Sequence, residues 1–240
     1  MANNHFNFKQ FSIQQDKCAM KVTTDACIFG AIVAEEVKNN SEISNALDIG
    51  TGTSLLAQMI AQQTNFPINA IEIDQQAFEQ ASENLNHSAF SNRIKLVKGD
   101  IKSTSFDERF DLIFSNPPFY EADLKSPSEQ KNIAHHDKGL TFEELSVSVD
   151  KNLTDEGICF LLIPFKREEE MVACLRKYGL GVSKIIRVQS KPTSPFSRSI
   201  LMISRTITES IACENFLVYE LDGSYSASCK TLLSPYYLFL

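Results

Sequence analysis

Residues 46–62 read Ala46-Leu-Asp-Ile-Gly50-Thr-Gly52-Thr-Ser54-Leu-Leu-Ala-Gln-Met-Ile-Ala-Gln62. A short apolar run ends in a glycine turn, and the turn opens directly into a run with helical character. Strand, tight glycine loop and helix N-terminus in that order bring backbone N–H groups close to a ligand, because glycine accepts positive φ and carries no side chain to hold the ligand away. A dinucleotide-binding fingerprint needs a third glycine. Thr53 and Ser54 stand where it would fall, which disfavours a nicotinamide cofactor.

Working outward, Ile68-Asn-Ala-Ile-Glu72-Ile-Asp74 reads as a second buried strand ending in acids, with Glu72 placed 22 residues after Gly50. A carboxylate at a strand's C-terminal end can accept both hydroxyls of a ribose, and Glu72 is the first candidate for that task. Asp74, followed by Gln-Gln-Ala-Phe, fits the cap of the next helix better. A third strand, Ile94 to Lys98, runs into Gly99-Asp100-Ile101, where an acid can accept an adenine amine and Ile101 can cover the ring. A fourth, Phe110-Asp-Leu-Ile-Phe114, is followed by Asn116-Pro117-Pro118-Phe119. Asn-Pro often marks no more than a turn. In this setting it also supplies what methylation of an exocyclic amine needs. The Asn116 side-chain oxygen and the Pro117 carbonyl can each accept one N–H, drawing the lone pair out of conjugation, while the prolines stiffen the loop and Phe119 stacks on the base.

Glycine loop, acid, Gly-Asp and Asn-Pro-Pro-Phe at the ends of successive strands resemble the amino-methylating branch of the class I S-adenosylmethionine-dependent methyltransferases. The segment Phe8-Lys-Gln-Phe11 with Gln15-Asp-Lys-Cys-Ala-Met20-Lys21-Val-Thr-Thr-Asp25-Ala26 is similar to the N-terminal segment of the bacterial tRNA1(Val) (adenine-37-N6)-methyltransferase family. The likeness continues through Ala134-His-His-Asp137, Leu161, Ile163 and Pro164, and Lys191-Pro192 with Arg198-Ser-Ile-Leu201. It implies a Rossmann-like fold, S-adenosyl-L-methionine as cofactor, a tRNA partner, and residues 1–44 as a segment covering the cofactor site of a single domain, 1–240. On the matching positions Met20, Lys21 and Asp25 line the methionine end, and Asp48, Gly50, Gly52, Glu72, Asp100, Ile101 and Asn116 complete the cofactor set. The family has a further small, glycine-like position after Gly52, from which Thr53 departs. Glutamine-amide N5-methylation of a protein would use the same loop, but only about 45 residues precede the first strand, too few for the extra domain such enzymes carry. A separate target-recognition domain, as in DNA adenine methyltransferases, has no room. A silent cofactor-binding RNA scaffold would not need an amine clamp.

The alternation continues with a helix over 141–151, a strand over 157–163, a helix over 168–178 and strands near 182–190 and 199–206, after strands at 45–49, 69–73, 94–98 and 110–114 and helices at 53–63 and 75–88. It predicts a mostly parallel seven-stranded α/β sheet with helices on both faces and an antiparallel edge hairpin. The runs Phe216–Tyr219 and Tyr236–Phe239 read as packing. At 240 residues and 43% hydrophobic, one buried core is expected. No apolar run is long enough for a membrane, and the start lacks a signal peptide's pattern, so a cytoplasmic location is expected, and a monomer is taken as the working state. Six scattered cysteines form no Cys-x-x-Cys pair, and His135-His136 lacks accompanying ligands, so no metal is expected. Net charge is −7, yet Lys184 to Thr208 carries Lys184, Arg187, Lys191, Arg198 and Arg205 without one acid. With Lys9, Lys17 and Lys21, these are the candidate phosphate contacts for RNA, Lys184, Arg187, Lys191 and Arg198 foremost.

Overall fold

The computed structural model describes residues 4–17, 21–117, 139–208 and 210–240. Its centre is built from β3 (Ala46–Ile49), β4 (Ile68–Glu72), β5 (Ile94–Lys98), β6 (Phe110–Ser115) and β7 (Leu153–Pro164), all parallel, with β4 and β5 on one side of β3 and β6 and β7 on the other. Continuous apolar runs suit strands covered on both faces. Successive side chains then divide between two layers. Ala46, Ile68, Ala70, Leu112, Phe114, Phe160 and Leu162 face one layer; Leu47, Ile49, Ile71, Ile113, Cys159, Leu161 and Ile163 face the other.

The first layer holds α1 (Thr24–Val37), α2 (Leu55–Gln63) and α3 (Gln75–Asn86), together with a short hairpin of β1 (His5–Asn7) and β2 (Ser12–Gln14) and the C-terminal α6 (Ala227–Leu233). The second holds α4 (Phe142–Asn152) and α5 (Glu168–Lys177). Helix α1 escapes periodicity because Ala26 to Ala34 is buried without a break, so no polar stripe marks it. Its start is signalled instead by Thr23, whose hydroxyl accepts the Ala26 N–H at 3.2 Å.

Strand β9 (Phe196–Ser204) is antiparallel to both β7 and β8 (Gly181–Gln189). The six-residue link after Gln189 is too short for a parallel crossover, so a hairpin is the outcome. The seven strands expected are joined by an eighth: β10 (Ala212–Leu217) adds in parallel to the free side of β8, giving the order β10-β8-β9-β7-β6-β3-β4-β5. The antiparallel pair therefore lies one strand in from the edge. β7 also begins at Leu153 rather than 157, with a register shift between the Phe110–Leu153 and Leu112–Ile158 pairs. Among the described residues no helix is long and apolar enough to cross a membrane.

Candidate active site

The C-terminal ends of the parallel strands place the motifs side by side. At the end of β3, Gly50 (φ +72°), Gly52 (φ +58°) and Ser54 (φ +64°) all take the left-handed region. A Cβ built on Gly50 or Gly52 meets nothing within 4 Å, so these glycines are required by backbone conformation and border open space. Ser54 is the non-glycine residue that adopts the glycine-like conformation, fully buried, with its Oγ accepting from Gln58 Nε2 at 3.0 Å.

Asp48, fully buried below this loop, accepts the Thr51 hydroxyl on Oδ2 at 2.6 Å, while Oδ1 has no hydrogen-bond partner. Burial pushes its carboxyl up to about 7, with the neighbouring Glu72 charge in the same direction and the Thr51 hydroxyl and Ala57 amide opposing. Glu72, also buried, ties the loop to the next strand: Oε2 accepts the Gly52 N–H and Oε1 the Asp74 N–H, both at 2.8 Å. Each oxygen keeps a second lone pair for a ligand hydroxyl. Asp74 takes the capping role, accepting the Ala77 N–H at 2.9 Å.

Next to Glu72, Ile73 is 55% exposed, an apolar side chain the motif reading passed over because it lies between two acids. Its carbonyl accepts from Lys98 Nζ. Gly99 N–H donates to the Glu72 carbonyl at 3.0 Å, which brings Asp100 and Ile101 alongside. Asp100 is half-buried and its Oδ1 accepts the Lys102 N–H at 2.9 Å; Ile101 is buried in the second layer beside Ile71. On the other side, Ser115 Oγ donates to the Ile49 carbonyl at 2.7 Å, locking the end of β6 to the end of β3. Asp48 pairs with Phe114 across these strands, so Asn116 stands two residues past the last pair, as Gly50 does on β3. Asn116 is half-buried and Pro117 buried.

Asp25, in the first turn of α1, lies 3.5 Å from Arg198 Nε, joining a residue expected at the cofactor to one expected at RNA. Lys21 is exposed. The four foremost cations of the basic stretch, Lys184, Arg187, Lys191 and Arg198, are not assembled into one track. Lys184 pairs with Glu36 of α1 and Glu214 of β10, whereas Arg187 holds the nearly inaccessible Glu168 of α5 on the opposite face. An odd separation along a strand divides them between faces. Lys191 is exposed, and with Arg198 it lies at the strand ends that carry the other motifs. Met20, Pro118, Phe119 and His135-His136 lie outside the described residues. Among the described residues there is no group of three His, Cys, Asp or Glu able to hold a metal ion.

A glycine loop with open space above it, a buried carboxylate oxygen lacking a donor and a strand-end glutamate fit S-adenosylmethionine, which carries an ammonium and two ribose hydroxyls. Fold and site together define a class I S-adenosylmethionine-dependent methyltransferase. The fold matches a predicted O-methyltransferase from Agrobacterium tumefaciens (TM-score 0.64, 18% identity, 88% of this chain and 96% of that one). It also matches a putative class I S-adenosylmethionine-dependent methyltransferase from Listeria monocytogenes (TM-score 0.61, 14% identity, 90% and 71%). The family model for the Methyltransferase small domain matches residues 29–140. A tRNA1(Val) (adenine(37)-N6)-methyltransferase of Dyadobacter fermentans is 37% identical over 240 residues, 98% of each chain, and further relatives of that name are 34–40% identical. The chain belongs to the tRNA1(Val) (adenine(37)-N6)-methyltransferase family.

Proposed function

We propose that the protein methylates N6 of adenine 37 in the anticodon loop of tRNA1(Val). The observation that carries this reading is the fastening of Asn116 and Pro117 beside the glycine loop by the Ser115 to Ile49 hydrogen bond, in a chain of this family. When bound, S-adenosylmethionine supplies an electrophilic methyl on a sulfonium. The chain's own residues supply position. Glu72 takes the ribose hydroxyls on its remaining lone pairs, Ile73 and Ile101 bracket the adenine ring, and Asp100 accepts that ring's amine. Asp25 provides negative charge toward the methionine end, and the unpaired Oδ1 of Asp48 offers the ammonium an acceptor.

For the substrate, Asn116 Oδ1 and the Pro117 carbonyl each accept one N6 hydrogen, which aims the lone pair at the methyl, and Phe119 stacks on the base. No strong base is needed, because the amine becomes acidic only as the N–C bond forms. Acceleration then rests on orientation and on dipoles set in advance. An unpaired loop is the natural substrate, since its bases can be splayed into such a pocket. Lys191, Arg198 and Lys21 are the cations left to guide phosphates toward it.

Asn116→Ala tests the clamp: methylation of tRNA from a strain lacking the gene, followed with labelled S-adenosylmethionine and mapping of the labelled nucleoside, should slow by about two orders of magnitude or more. S-adenosylhomocysteine affinity should stay near wild type. Wild-type turnover in this variant would overturn the clamp.

A further inference from the structure

The N-terminal hairpin is gripped by side-chain amides as well as by apolar burial. Phe8, Phe11 and Ile13 are buried and anchor it to the first layer. At its end, Asn84 of α3 pairs both backbone groups of Gln14: Oδ1 accepts the Gln14 N–H at 2.8 Å and Nδ2 donates to the Gln14 carbonyl at 3.0 Å. Nδ2 also donates to the carbonyl of Thr53, inside the glycine loop, at 3.0 Å. One turn earlier on the same face of α3, the fully buried Gln80 accepts the Lys17 N–H at 2.9 Å. Gln15 Oε1 accepts the Val22 N–H at 2.8 Å, immediately before the cap of α1 and Asp25.

We infer that Asn84 and Gln80 form a latch that positions the glycine loop by clasping residues 14–17, so that docking of the N-terminal strap and affinity for the cofactor are one coupled equilibrium. This rests on the cofactor reading above. The loop needs such support: three of the five residues from Gly50 to Ser54 have positive φ, and glycine gives its backbone wide freedom. Asn84 is only 2% exposed, and both hydrogens of its amide are committed. A buried amide is costly to leave half-paired, so release of Gln14 also unsettles the Thr53 carbonyl. Apolar anchoring alone would hold the hairpin without fixing its register to the loop.

Gln80→Met separates the latch from simple loop contacts, because the described hydrogen bonds of Gln80 go to Lys17 and Glu83 and none goes to the glycine loop. Calorimetric titration with S-adenosylhomocysteine should show affinity weakened three- to fivefold in Gln80→Met and tenfold or more in Asn84→Asp. Hydrogen exchange in peptides spanning 12–17 and 50–58 should rise in both variants without ligand. A Val149→Ala control, in the second layer and with a comparable loss of Tm, should keep wild-type affinity. Unchanged affinity and unchanged exchange at 50–58 in Gln80→Met, or an equal affinity loss in the control, would overturn the latch. If the wild-type protein fails to bind S-adenosylhomocysteine, the cofactor reading falls, while the exchange measurement still decides the coupling of strap and loop.

Discussion

Asp48 combines complete burial, a like-charged neighbour and an unpartnered oxygen, and the consequence is a carboxyl that holds its proton up to about pH 7 instead of 3.8. Between those values the native state keeps a proton that the unfolded chain has released. This group's contribution to stability therefore falls as pH rises through that window and is lowest above 7. Asp48→Asn removes the penalty, so its stability relative to wild type should climb from pH 4 to pH 7 and then level off. Urea denaturation of both proteins without ligand checks this, and a difference that does not vary with pH would assign the burial cost elsewhere. Ser54 offers a second test. Its left-handed backbone costs about 1–2 kcal/mol, yet its hydroxyl is the hydrogen-bond partner of the buried Gln58 amide, whose Oε1 has none. Ser54→Gly alone relieves strain but orphans that amide, for a net loss of about 1 kcal/mol. Combined with Gln58→Leu, which removes the amide, it should leave a protein about 1 kcal/mol more stable than wild type, measured by the same denaturation.

At the scale of elements, the basic residues of β8 and β9 stand in two different settings. Arg187 binds Glu168 through Nη2 at 2.7 Å, and Ser199 donates to the same carboxylate at 2.5 Å. Burial alone would raise the Glu168 carboxyl, but Arg187 and Ser199 hold it below the usual range, so the pair's contribution is present above the ordinary glutamate range and is lost as pH falls through the lowered value. Arg187→Gln should cost about 3 kcal/mol of stability at neutral pH and leave the salt dependence of tRNA binding unchanged. Arg198→Gln, at the rim, should do the reverse, with little loss of Tm and a log–log salt slope smaller by roughly 0.7–0.9. Filter binding of tRNA across a salt series decides between them. Sequence alone could not separate the two arginines, because charge order along a strand says nothing of which acids pack beneath it. What sequence did carry was the succession of strands along the chain and motif position: the ends of β4, β5 and β6 lie where alternation and the Gly, Glu and Asn-Pro signals put them. It missed α1, apolar all round, and β10, whose Ala-Cys-Glu-Asn start lacks a strand's alternation. It named Thr53 and Ser54 together where a third glycine would fall and could not say that Ser54 is the one with positive φ, because φ at each loop position is fixed by packing and cannot be read from residue type.

Across the whole molecule, the two chain ends meet on the first layer and close it over α1 and α2. Phe8 forms a β-bridge with Tyr237, Lys9 N–H donates to the Tyr236 carbonyl at 2.8 Å, and Lys9 Nζ to the Ser234 carbonyl at 2.6 Å. Gln62 of α2 reaches the Pro235 carbonyl at 2.8 Å. The tail that looked like packing in the sequence is thus a clasp on the hairpin, whose Gln14 is held by Asn84 of α3. Tyr236 is 2% exposed and Tyr237 stacks obliquely on Phe6 and Phe8, so the tail shares one apolar cluster with α1, α2 and the hairpin. Tyr236→Ala should accordingly cost about 3–5 kcal/mol, the range for emptying a buried aromatic site. For a chain of this length that is a fall in Tm of roughly 2–4 °C for each kcal/mol. Because the clasp and the hairpin belong to one cluster, the variant should also raise hydrogen exchange in residues 5–14 while leaving α4 and α5 protected. Equal loosening of both layers, followed by mass spectrometry of protected peptides, would mean that the ends merely add to global stability and do not define a unit of their own.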